Sequence, residues 1–342
     1  MTKLSKDNQT DLAKKRFRLI LKDGVNIGVD KMRVELPQWF DEKLFLRGQK
    51  CFNTNFYSIF LAGFIGLVAV LSIPTILDVL ILTNKSSNPY AAYKRYTETI
   101  KHVLKWYHYD IHNIKSKSRK SLSIVSGFHC AAAKTSFNAG LGIRVNQKDM
   151  VLTQFGFIGL VLLKYKNLAI QISEDDEMAL VHFWRTIGYL LGIKDEFNLC
   201  NGSLEEVRSL CAEIMSEVYV PSLENPPPEF NNMVGYLIEG LKPISPLNDF
   251  ESFMKFMWRV CDLPERKLTN TRSQITYNTQ TFIITVLLTK WWLVWFFRPV
   301  MNFQIKMAIW LNESFPLFAA FKFGTKVFCM NSISNVINKK DN

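Results

Sequence analysis

Residues 91–112 read AAYKRYTETIKHVLKWYHYDIH, and the spacing of their apolar side chains decides the fold class. Tyr93, Tyr96, Ile100, Val103, Leu104 and Tyr107 recur at intervals of three and four, which places them on one face of an α-helix. Downstream, KSKSRKS (115–121) reads as a basic linker. SLSIVSGFHCAAAKTSFNAG (121–140) reads as a second helix that ends towards Gly140 and Gly142. QKDMVLTQFGFIGLVLL (147–163) is a third, strongly apolar helix. SEDDEMALVHFWRTIGYLLGI (173–193) is a fourth, opened by Ser173 with Asp176 or Glu177. SLEEVRSLCAEIMSEVYVPSL (203–223) is a fifth, closed by Pro221, and a Pro run at 226–228 breaks the chain. NMVGYLIEGL (232–241) and FESFMKFMWRVCDL (250–263) add two more. No alternating strand pattern and no tandem repeat is present, so the expected fold is all-α.

Upstream, no charged residue occurs from Cys51 to Leu77, and only Asp78 interrupts the run to Leu82. That length can span a bilayer. Gly63, Gly66 and Pro74 favour close helix packing and a kink instead, so a buried pocket helix and a membrane anchor both stand as readings. A second apolar run, TFIITVLLTKWWLVWFF (281–297), is interrupted by Lys290 and ended by Arg298-Pro299. Its length and its three Trp residues suit a membrane surface or a substrate entrance, with core packing as the plain alternative. The expected division is an N-terminal helical extension (1–50), a central domain (51–265) and an apolar C-terminal region (266–342).

Composition narrows the function. The 342 residues are 48% hydrophobic, with 26 Phe and 8 Trp, enough for a sizeable core and an apolar cavity. The formal charge is +12, but the basic residues are dispersed among apolar ones, with no zinc-finger, basic-zipper or RNA-recognition motif. An anionic membrane surface therefore explains the excess better than nucleic acid does. Cysteines 51, 130, 200, 211, 261 and 329 form no CxxC pair, which fits a reducing, intracellular compartment. The polar opening MTKLSKDNQTDLAKKRFR carries no secretory signal pattern.

Five histidines are candidate ligands. His102, His108 and His112 fall near the polar side of one helix, without an HExxH motif or a third ligand, and read as solvated. His129 sits among small and apolar residues (Ile124 to Ala133), where a neutral imidazole needs a partner for its ring nitrogens. A hydrogen-bonded core histidine satisfies that need, and so does haem iron, for which Gly127 and the alanines leave room. His182 lies one turn before Arg185, and a structural role is the simpler reading. The acidic start of that helix (Glu174 to Glu177) complements the helix dipole and needs no catalytic explanation.

From about Phe56 to about Asp262 the chain resembles the haem oxygenase family of bacterial latex-clearing proteins and the fungal ER-bound oxygenase of mycophenolic acid biosynthesis. Three elements carry the resemblance. Arg95-Tyr96-Thr97-Glu98-Thr99 is similar to the family's distal Arg-x-x-Lys-Thr, and Phe128-His129 follows at the placement of its axial His. Asn146-Gln147-Lys148-Asp149-Met150, with Thr153 and Phe157, resembles its Asn-Gln-x-Asp-Met-x-x-Thr helix. Residues 182–192 also resemble its His-x-Trp-Arg-x-x-Gly helix.

The resemblance implies a single helical domain around haem b, with His129 on iron and dioxygen as co-substrate. It implies oxidative cleavage of a carbon–carbon double bond in an isoprenoid or other apolar lipid. Arg95 is then expected to stabilise negative charge or pair with a haem propionate, with His182 and Arg185 also about the cofactor. Glu98, standing where the family has Lys, is expected to be desolvated by aromatics and to take a substrate proton, with Thr99 donating a hydrogen bond to it or to the oxygen. Membrane association, at the endoplasmic reticulum among other places, follows from the same likeness. Two alternatives stand beside the oxygenase: a non-catalytic haem or lipid carrier, and a membrane interaction protein whose histidines are structural.

Overall fold

The computed structural model describes residues 6–246 and 248–328. Every regular element among them is helical, and the one β-contact is an isolated bridge between Gly28 and Asn146. The central helices are α1 (Lys6–Lys22), α2 (Glu42–Thr54), α3 (Phe56–Val70), α4 (Pro74–Leu82), α5 (Pro89–His108), α6 (Lys117–Asn138), α7 (Gln147–Lys164) and α8 (Glu174–Leu190). They are followed by α9 (Leu204–Ile214), α10 (Val220–Glu224), α11 (Phe230–Leu241), α12 (Phe250–Val260), α13 (Thr271–Phe282), α14 (Trp291–Ser314) and α15 (Leu317–Phe323). The expected all-α architecture is what forms.

The first apolar run is core. It breaks into α3 and α4 because Pro74 lacks the N–H to continue a helix and takes a first-turn position of α4 instead. Ile65 and Val68 of α3 are fully buried. Among the described residues no single helix is long and apolar enough to cross a membrane; α2 and α3 reach that length only as a pair bent by 94°. Gly66 lets α3 lie directly on α7: a Cβ there would stand 1.7 Å from the Gly156 carbonyl oxygen. Gly63, one turn earlier, meets nothing within 4 Å and lines a small apolar hole of about 60 Å³.

The bend between α2 and α3 frees backbone groups, and α14 satisfies them. Asn302 Oδ1 accepts from Tyr57 N (2.9 Å), and its Nδ2 donates to Thr54 O (2.8 Å). Arg298 donates to Asn55 Oδ1 at 3.0 Å and to Ala169 O at 3.2 Å, so the guanidinium straps the same corner. Pro299, expected to end the second apolar run, lies inside α14, which continues to Ser314.

Three boundaries differ from the sequence reading. The basic segment 115–121 is largely the first turn of α6, because the Ser116 side chain accepts from Arg119 N and caps it. Pro221 does not close the fifth helix; it follows a π-helical turn at Met215–Tyr219 and takes a first-turn position of α10. The fourth helix stops at Leu190, and Gly192 supplies the left-handed turn (φ +94°) that ends it. At its start, Ser173 and Asp176 form the expected capping box. The N-terminal segment packs on the rest of the chain: Ala13 and Ile20 of α1 are completely buried, and Arg16 pairs with Glu206 at 2.9 Å. Cys51, Cys130, Cys200, Cys211 and Cys261 are free thiols, and Cys329 lies outside the described residues.

Candidate functional site

Helices α3 to α8 enclose a cavity of about 600 Å³, within the range of small-molecule sites. Its walls are mainly apolar, with Leu67 from α3, Leu80 from α4, Val125 from α6, and Trp184 and Ile187 from α8. The polar groups come from α5, α6 and α7, with Thr83 and Lys85 added from the turn before α5. On α5, Arg95, Glu98, Thr99 and His102 face the cavity, as their spacing at i, i+3, i+4 and i+7 requires. On α6 the facing residues include Phe128, His129 and Ala132; Gly127, expected to make room for a macrocycle, sits on the exposed side. On α7 they are Asp149 and Thr153.

His129 is the chemically distinctive group. Its Nδ1 is buried and has no hydrogen-bond partner. Desolvation, with the Arg95 guanidinium adding to it, pushes its pKa down to about 4, so the ring is neutral at pH 7. A neutral imidazole with an unsatisfied nitrogen is poised to ligate a metal. Among the described residues no cluster of three or more His, Cys, Asp or Glu side chains is placed to hold a bare ion. An iron held at His129 would have to bring its remaining ligands with it, as in a porphyrin. The cavity volume, its apolar walls and the cationic Lys85, Lys94 and Arg95 beside it fit that group and its two carboxylates.

Other expected residues behave differently. Glu98 is exposed at the cavity edge, so the surrounding aromatics do not desolvate it. Among the described residues no ion pair joins it to Arg95. Thr99 donates to the Arg95 carbonyl within its own helix (3.0 Å), rather than to Glu98. His182 and Arg185 lie away from the cavity. His182 Nε2 accepts from Asp41 N (3.0 Å) at the start of α2, and the Arg185 guanidinium covers the Trp39 ring at 3.8 Å. Their helix turns Trp184, Ile187 and Gly188 towards the cavity instead, which leaves 182 and 185 on another face.

Two groups emerge that the histidine and motif reading left without a role. Asp149 is 4% exposed, with Oδ1 accepting from Thr75 Oγ1 (2.7 Å) and Oδ2 buried without a partner. Asn146 caps α7 by accepting from Asp149 N (2.9 Å), while Gln147 Nε2 donates to the carbonyls of Gly28 and Gly192. Val145, just before the cap, is forced to φ +52°, an unusual conformation for a β-branched residue. The carboxylate is therefore held at the cavity by a strained, fully bonded helix start. His102, expected to be solvated, is half-buried with Nδ1 at 2.7 Å from Ser121 Oγ. Trp106 Nε1 donates to the same hydroxyl (2.9 Å). Burial, with Lys105 and Lys101 contributing, lowers the His102 pKa to about 4. The hydrogen bond needs a tertiary partner from α6, which a pattern within α5 does not reveal.

Comparison with known proteins agrees with this all-helical fold. The chain superposes on a solved structure of latex clearing protein in the closed state with a TM-score of 0.51. The identity is 13%, over 81% of this chain and 76% of that one, so the likeness is one of fold. No curated protein matches the chain. The family model described as ER-bound oxygenase mpaB/B'/rubber oxygenase, catalytic domain, matches residues 54–313, which contain every wall of the cavity, and the chain accordingly belongs to that oxygenase family.

Proposed function

We propose that this chain is a haem-dependent oxygenase that cleaves a carbon–carbon double bond in an apolar, isoprenoid-type lipid. One observation carries the reading: a neutral imidazole, His129, faces a largely apolar cavity with one buried nitrogen unsatisfied. Membership of the oxygenase family supports it. Bound at His129, haem supplies an iron centre at which dioxygen is activated.

The chain's own residues do the rest. His129 holds the iron through a ring nitrogen, and its neutral state keeps a lone pair available at ordinary pH. Arg95, always charged, offers a fixed positive group to anions in the cavity. Leu67, Leu80, Trp184 and Ile187 exclude water and receive hydrocarbon. Asp149, not Glu98, is the desolvated carboxylate. Its free oxygen takes a hydrogen bond or a proton from a bound substrate while Thr75 fixes the other.

Absorbance of the purified, haem-loaded protein before and after dithionite tests the reading. A Soret band that shifts on reduction is expected, and His129→Ala abolishes it with the far-UV circular dichroism unchanged. Oxygen uptake with a polyprenyl substrate follows the Soret band. A well-folded wild type that takes up no haem, or a His129→Ala protein with a normal Soret peak, overturns the reading. Haem binding without oxygen uptake selects the carrier alternative.

A further inference from the structure

Along α14 the fold leaves a row of large aromatic side chains in solvent. At 100° per residue, Trp291, Trp292, Trp295, Phe296, Phe303 and Trp310 fall within an arc of about 140°. All six are exposed, Trp291 to 84% and Trp295 to 72%. The helix buries the opposite side, where Phe297, Met301 and Ala308 pack against the core and Asn312 is covered. Half of the chain's 8 Trp stand on this one solvent face. Beyond the end of α14, α15 continues the pattern with Phe318 at 74% and Phe321 at 93% exposure.

Water is a poor environment for such a face, and monomeric surfaces seldom expose contiguous apolar patches of this kind. Charge indicates what covers it. Residues 271–328 carry six basic side chains (Arg272, Lys290, Arg298, Lys306, Lys322, Lys326) and one acidic, Glu313, for a net of +5. The whole chain is at +12. A second copy would bring like charge against like charge. The remaining C-terminal sequence, CMNSISNVINKKDN, has five apolar residues among polar ones, too few to cover six large aromatics. Arg298, Lys306 and Lys322 are engaged within the protein, with Asn55, Asn53 and Glu239. An anionic bilayer surface still satisfies both halves of the pattern, because Trp and Phe partition into the headgroup region while Arg272, Lys290 and Lys326 are left to meet lipid phosphates and carboxylates.

We infer that α14 is a monotopic membrane-docking helix. It lies in the plane of an anionic lipid surface with the Trp291–Trp310 face inserted and its buried side holding the oxygenase domain. This inference is independent of haem binding and of any turnover.

Sedimentation with vesicles tests it, using phosphatidylcholine alone and phosphatidylcholine with phosphatidylserine. The full chain is expected to sediment with the mixed vesicles and less with the neutral ones. Its Trp emission shifts to the blue and is quenched by brominated phosphatidylcholine. Trp291→Ser/Trp292→Ser/Trp295→Ser lowers the partition coefficient by roughly tenfold or more, because three large apolar groups no longer enter the interface. Phe137→Ser, which removes an exposed aromatic from α6, leaves it unchanged. Far-UV circular dichroism establishes that both variants are folded. Equal sedimentation of wild type and triple variant overturns the inference. So does a wild-type dimer that ignores vesicles and becomes monomeric in the triple variant, since a second copy is then what covers the face.

Discussion

Placing a single methyl group at Gly66 and another at Gly63 should move stability in opposite directions, although both lie on α3. At Gly66 the new Cβ would stand 1.7 Å from the Gly156 carbonyl oxygen, and 2.6 and 2.8 Å from the carbonyl carbon and Cα. Ordinary contact starts near 3.4 Å, so α3 and α7 must part by roughly 1.7 Å. The obstruction is backbone on both sides, so no rotamer change relieves it. Overpacking of this kind costs about 3 kcal/mol or more, the upper end of the usual range. The helix preference for Ala over Gly offsets roughly 1 kcal/mol of that. Gly66→Ala therefore loses about 2 kcal/mol or more. Gly63→Ala meets nothing within 4 Å and gains roughly 0.5–1 kcal/mol from the same preference. The assay is guanidinium unfolding of both variants followed by circular dichroism, comparing midpoints at matched slopes. If Gly66→Ala unfolds within about 0.5 kcal/mol of Gly63→Ala, the close α3–α7 crossing is refuted, and with it this account of the cavity wall.

Three further outcomes are expected. Asp149→Asn lowers oxygen uptake of the haem-loaded protein by roughly 10²-fold or more, whereas Glu98→Gln changes it only a few-fold; the reverse order would return the proton-handling role to Glu98. Between pH 6.5 and about 4 the unfolded chain binds a proton that folded His102 refuses, so that contribution to stability is present above pH 6.5 and is lost as pH falls to 4. His102→Gln should make urea midpoints fall less steeply across that window, the remaining slope coming from His129, and an unchanged profile counts against the buried Ser121 contact. His182→Ala strips the acceptor from Asp41 N and costs roughly 1–3 kcal/mol in thermal unfolding, while haem uptake stays at the wild-type level; loss of uptake would place His182 at the cofactor after all.

The helical architecture was legible because each helix announces itself locally. The periodicity of 91–112 and the Ser173–Asp176 cap need no tertiary information. Where the sequence misled, the cause was a partner distant in the chain. Pro299 looks like a terminator, yet α14 runs through it with Arg298 and Asn302 anchored on the α2–α3 corner. His102 looks solvated until Ser121 and Trp106 are brought to it, and His182 and Arg185 look like pocket residues until Asp41 and Trp39 occupy them. The i, i+3, i+4 grouping of Arg95, Glu98 and Thr99 did forecast a shared cavity face. Helical phase fixes which way a side chain points, but the depth to which it is sunk depends on neighbouring helices. Glu98 illustrates the difference, because it points at the cavity and stays in solvent.

The clasp of Asn302 on Tyr57 N and Thr54 O gives the last third of the chain a role in the middle of it. The α2–α3 elbow is the root of the helix that floors the cavity, and its exposed peptide groups are finished by a segment some 245 residues away in sequence. Shortening the protein before α14 would therefore leave a raw helix end at the root of α3, roughly 16 Å along the helix from Leu67 where the cavity wall begins, rather than trimming an ornament from the surface. Arg298, Asn302 and Lys306 all join α14 to that elbow, so a load on α14 would be felt at the root of α3. If α14 docks on lipid as proposed, tether and keystone are the same piece of polypeptide.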